Sequence, residues 1–71
     1  MTALGFPDWL ENARQERGLD NRRLMISMGM NWETVRALST GARRPSMWVC
    51  CRLAQALGCA PEEVLAAAGF L

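Results

Sequence analysis

Histidine and tyrosine are both absent from the 71 residues, so the side chain that most often serves as general base and metal ligand is missing. Cys50, Cys51 and Cys59 contain no Cys-x-x-Cys pair. They therefore point to a reducing, cytoplasmic setting rather than a disulfide framework or a zinc site. The carboxylates are scattered or fall at expected helix starts, and no catalytic pair can be assembled from them. Neither an enzyme nor a bound metal or cofactor is expected. The chemistry left to the chain is that of arginine.

Every basic residue is an arginine, and the distribution is uneven although the net charge is only +1. Seven arginines (14, 17, 22, 23, 36, 43 and 44) stand against Glu16, Asp20 and Glu33 in the middle of the chain. The first stretch carries Asp8 and Glu11, and the last carries Glu62 and Glu63 against Arg52. A basic middle between acidic ends suits a surface that meets a polyanion. The guanidinium fork matches phosphate oxygens or a guanine edge, although arginine usage also follows from a high-GC genome.

Those arginines need elements to hold them. Hydrophobic residues at 51% and charged residues at 21% support one small globular domain over 1–71. No apolar run approaches the ~18 residues of a membrane span. Asp8, Glu11, Arg14 and Glu16 interrupt the start, which does not read as a signal peptide. Glycines at 18, 29, 41, 58 and 69 and prolines at 7, 45 and 61 punctuate the chain as helix ends and starts do.

The expected architecture is all-α, a compact five-helix bundle with helices over about 7–17, 21–28, 32–40, 46–57 and 61–68. Asp20, Asn31 and Ser46 are the expected N-caps, with Met30 stapling against Val35. The inner stripes are Phe6, Leu10 and Ala13, then Leu24 and Met28, then Val35 and Leu38. Met47, Cys50, Leu53, Ala54 and Leu57 form the inward stripe of the fourth helix. Trp9 reads as core or core rim, and Met25, Met28, Met30 and Met47 read as packing.

The segment Leu19–Gly58 runs L-D-N-x-x-L, G-M-N, T-V-x-x-L-S-T-G, R-R-P-S and R-L-A-Q-A-L-G. Two helices of about eight residues joined by a glycine-containing turn describe a helix-turn-helix. The order and spacing resemble the lambda-repressor-like (Cro/XRE type) helix-turn-helix family over nearly the whole chain. The resemblance implies that helix 21–28 lies across the DNA backbone and helix 32–40 enters the major groove.

It further implies base reading by Trp32, Glu33, Arg36 and Ala37. Arg36 could fork onto guanine and Glu33 could accept from cytosine N4, with Trp32 against a thymine methyl or sugar. Asn21, Arg22, Thr34, Arg43 and Arg44 fall where the family holds phosphate, contacts that set register rather than sequence choice. Asn21 is a methylene shorter than the family's usual glutamine. Met25 replaces a usual alanine, and Ile26 a usual polar residue. Ser39 stands in place of an acidic partner for Arg14, leaving Arg14 free for phosphate or simply solvated.

These features lead to the expectation of a sequence-specific, double-stranded DNA-binding regulator, a small phage-type or antitoxin-like repressor acting as a cytoplasmic homodimer. Polymerase or a toxin would be its protein partner, with no membrane involved. The alternative is a protein-interaction module on the same fold with weak or lost DNA binding, using exposed Trp32, Ile26 and Trp48. The apolar tail Ala66–Leu71, which ends in Phe70-Leu71, either folds back on the first helix or supplies a dimer seam.

Overall fold

Each helix of this chain starts where a side chain or a proline satisfies its first turn and stops where the backbone turns left-handed or frays. A computed structural model describes residues 5–71. The first four residues of the domain expected over 1–71 lie outside the described part. The helices are α1 (Phe6–Glu16), α2 (Asn21–Met28), α3 (Trp32–Thr40), α4 (Met47–Leu57) and α5 (Pro61–Ala67). Among the described residues there is no strand. The all-α, five-helix expectation therefore holds.

The caps follow the side-chain chemistry. Asp20 Oδ1 accepts from the Arg23 N–H at 2.7 Å, Asn31 Oδ1 from Thr34 N–H at 2.9 Å, and Ser46 Oγ from Val49 N–H at 3.2 Å. Each satisfies one N–H that a helix start leaves without a partner, typically worth about 1 kcal/mol. Pro7 and Pro61 instead stand in the first turns of α1 and α5, where a missing N–H costs nothing.

The core is built from one stripe per helix. Leu10, Leu24, Met28, Val35, Leu38, Cys50, Leu53 and Val64 are all essentially inaccessible to solvent. Helix α4 packs on α5 and α2, while α3 packs on α1 and α2. Burying each of the large aliphatic groups stabilises the fold by about 1.5–3 kcal/mol before entropy is counted. Trp9 lies half-buried at the rim, with its ring 5.7 Å from that of Phe6. Met25 and Met30 are half-buried against the core. Methionine's flexible stem accounts for how Met25 fits where a smaller residue was expected.

Two expectations are corrected. Met47 is 59% exposed rather than inward. It is the first residue of α4, and the core stripe of that helix begins a turn later at Cys50. Arg14 is neither free for phosphate nor simply solvated: it is half-buried, and its Nη1 donates to the Leu19 carbonyl at 3.1 Å. With serine at position 39 there is no acid to draw it away, and the nearest strong acceptor is the turn leading into α2. Phe70 and Leu71 stay substantially exposed. Gly69 takes a left-handed conformation, and the Phe70 N–H closes back on the Leu65 carbonyl at 2.9 Å, which terminates α5.

Candidate nucleic-acid interface

The turn between α2 and α3 is three residues, Gly29-Met30-Asn31. Gly29 adopts φ +66°, a left-handed cap that reverses the chain with little steric strain. The Gly29 and Met30 N–H groups donate back to Ile26 and Met25 carbonyls, both at 3.2 Å. Asn31 then opens α3 at once. The outcome is two short helices joined by a tight turn, two of whose three N–H groups are bonded back to α2.

A cation from outside the motif holds that turn. Arg52 of α4 donates Nη2 to the Met28 carbonyl at 2.9 Å, and its guanidinium lies 5.6 Å from the Trp48 ring centroid. The last carbonyls of α2 carry its negative dipole end, so a guanidinium there is favourable. Sequence reading did not assign Arg52 this place. Its position one and a half turns into α4 gives no local signal of which carbonyl it will meet.

Helix α3 shows a sharp division. Val35 and Leu38 are buried, whereas Trp32, Glu33, Arg36 and Thr40 are exposed. Trp32 keeps 47% of its surface accessible, high for an indole that could have packed inward. Trp32, Glu33 and Arg36 therefore share one solvent face, as the 3.6-residue period requires. Ala37, expected among them, is half-buried, and its carbonyl accepts the Arg43 N–H at 3.2 Å. Thr40 was missed. It stands one turn beyond Arg36 on the same face, a spacing that periodicity alone could have revealed.

The residues expected at phosphate flank this face. Asn21 begins α2, half-buried, with Oδ1 accepting from Ser39 Oγ at 3.3 Å. Arg22 is exposed on the same first turn. Thr34 is half-buried, and its backbone N–H is already used by the Asn31 cap. Arg43 and Arg44 are exposed in the loop between α3 and α4. Arg44 donates Nη2 to the Ala68 carbonyl at 3.4 Å, which ties the loop to the end of α5 and leaves its other donors available. The loop borders a groove of about 280 Å³ shared with Phe6, Pro7 and Ala68.

The thiols do not belong to this surface. Burial pushes the Cys50 thiol above its usual range, with the neighbouring Cys51 adding to the effect. Cys59 is also raised, chiefly by burial and then by Glu63. Among the described residues, no group of three potential ligands could hold a metal ion. No helix there is long and apolar enough to cross a membrane.

A family model described as the Cro/C1-type HTH DNA-binding domain matches residues 10–67. The chain belongs to this family. The match runs from α1 into the last turn of α5, so the Cro/C1-type assignment covers the motif and the helices that support it. Comparison with curated proteins and with solved structures gives no match. As a Cro/C1-type domain, the chain carries a DNA-binding helix-turn-helix whose two helices are α2 and α3.

Proposed function

We propose that the protein is a sequence-specific transcription regulator that places α3 in the major groove of double-stranded DNA. The observation that carries this reading is the solvent face of α3, where Trp32, Glu33 and Arg36 stand exposed while Val35 and Leu38 anchor the helix. Arg36 is the forked donor for guanine O6 and N7, Glu33 the acceptor for cytosine N4, and Trp32 the apolar contact to thymine or sugar. Ala37 contributes its small side chain, which lets the helix approach closely. Asn21, Arg22, Thr34, Arg43 and Arg44 grip the two flanking backbones. A domain with so few reading residues gains affinity by binding as a homodimer on half-sites about one helical turn apart. Repression by occlusion, of the phage or antitoxin type, is then the simplest mode of action.

Arginine substitutions separate the two kinds of contact. Arg36→Ala is expected to relax the preference at one base pair, a loss of about 1–3 kcal/mol of discrimination. Arg43→Ala is expected to weaken all duplexes alike and to lower the slope of log K against log salt by about 0.9 per protomer. Fluorescence anisotropy on a duplex selected from a random pool, and on its single-base variants, measures both. Equal behaviour of the two variants on all duplexes would contradict the assignment.

A second reading rests on Ile26, Met47 and Trp48, which are 66%, 59% and 64% exposed. Large apolar groups on the surface suit a protein partner, such as polymerase or a toxin. On that reading Trp48→Ala abolishes partner binding while Arg36→Ala and Arg43→Ala leave it unchanged.

A further inference from the structure

A carboxamide can help or hinder a phosphate contact, depending on which end faces outward. Asn21 opens α2 with one oxygen acceptor and one NH2 donor, and a half-turn about its last torsion exchanges them. A phosphate only accepts, so the NH2 must face it; an outward oxygen would set two acceptors against each other. Two groups fix the local backbone. The Asp20 carboxylate caps the helix through the Arg23 N–H, and Arg14 Nη1 holds the Leu19 carbonyl just before it. Neither touches the Asn21 amide itself.

Ser39 does. It is half-buried on α3, 18 positions along the chain, and its hydroxyl donates to Asn21 Oδ1 at 3.3 Å. In this arrangement the amide oxygen faces Ser39, which leaves the NH2 donors for the outside. We propose that Ser39 is a positioning residue for DNA binding, holding the Asn21 carboxamide with its donors toward a backbone phosphate. Because the hydroxyl belongs to α3, the backbone grip of α2 is set by the packing of α2 on the groove-entering helix. This inference rests on the DNA-binding reading above.

The test uses a duplex selected from a random pool, with single phosphates replaced in turn by neutral methylphosphonate. Wild-type protein is expected to lose about tenfold in affinity at the one phosphate facing Asn21, the low end of a hydrogen bond to a charged acceptor. Asn21→Ala and Ser39→Ala should each weaken the unmodified duplex by about that factor and lose sensitivity at that same phosphate. The double variant should be no weaker than either single one, because the two residues act as one unit. Ser39→Thr keeps the hydroxyl and should behave as wild type. Alanine is the better helix former at position 39, and circular dichroism checks that each variant folds.

Wild-type affinity and wild-type phosphate sensitivity in Ser39→Ala would overturn the proposal while leaving the DNA reading intact. So would independent, additive losses from Ser39→Ala and Asn21→Ala. Failure of the wild-type protein to bind any duplex at low salt would remove the DNA reading and this inference with it.

Discussion

Replacing Arg52 by methionine keeps the stem of the side chain and deletes the guanidinium. Two interactions disappear: the bond to the Met28 carbonyl at 2.9 Å and the stacking over Trp48 at 5.6 Å. A hydrogen bond involving a charged group contributes about 1.5–3 kcal/mol, and a cation–π contact at an exposed site about 0.5–1 kcal/mol. Arg52 is half-buried, so solvent recovers part of the lost carbonyl bond, and a net loss of about 2 kcal/mol is expected. A 71-residue domain has about 4–11 kcal/mol in total, so the change is a large fraction. Urea unfolding followed by circular dichroism should show a lower midpoint with an unchanged slope, and Tm should fall by about 8–16 °C. Trp48→Ala should cost about 0.5–1 kcal/mol in the native background and almost nothing when Met stands at 52. A loss below about 0.5 kcal/mol for Arg52→Met, the level of an ordinary surface change, would refute the clamp.

Other outcomes follow from single features. Gly41 has φ +82°, and a Cβ there would come 3.2 Å from Pro7 Cγ, so Gly41→Ala should lower stability by about 1–2 kcal/mol in a thermal melt. Cys51 is exposed and Cys50 is buried, so a thiol reagent should label Cys51 in the native protein and reach Cys50 only on unfolding. The raised Cys50 thiol favours the folded state as long as it is protonated. Its contribution is complete below the ordinary thiol pKa and is lost as pH rises through the higher folded value. Denaturant midpoints should therefore fall on the alkaline side of the ordinary thiol range, and Cys50→Ala should flatten that fall.

Much of the fold was legible because it is written in local chemistry. Asp20, Asn31 and Ser46 each sit just before an apolar stripe, and each caps its helix as read. The division of α3 into buried Val35 and Leu38 and exposed Trp32, Glu33 and Arg36 follows from period alone. The illegible part is the set of arginine bonds to backbone carbonyls. Arg14 reaches the Leu19 carbonyl, Arg17 the Leu57 carbonyl and Arg52 the Met28 carbonyl. All three meet backbone oxygens in turns or at helix ends, and backbone oxygens carry no sequence signature. A count of arginines thus overstates the positive charge free for DNA, because several of these cations are structural. Met47 was misread for a related reason: its period fits the inner stripe, but its stripe extends past the end of the bundle.

The central claim is that an exposed α3 face flanked by cations reads duplex DNA, and a salt-dependent titration tests it most directly. The wild-type protein would be titrated by anisotropy against labelled DNA from upstream of its own gene and against a scrambled duplex, at several salt concentrations. The account predicts preference for the upstream fragment and a linear fall of log K with log salt, with a slope of about −0.9 per neutralised phosphate. Absence of binding to both duplexes at low salt, or binding indifferent to salt, would contradict it.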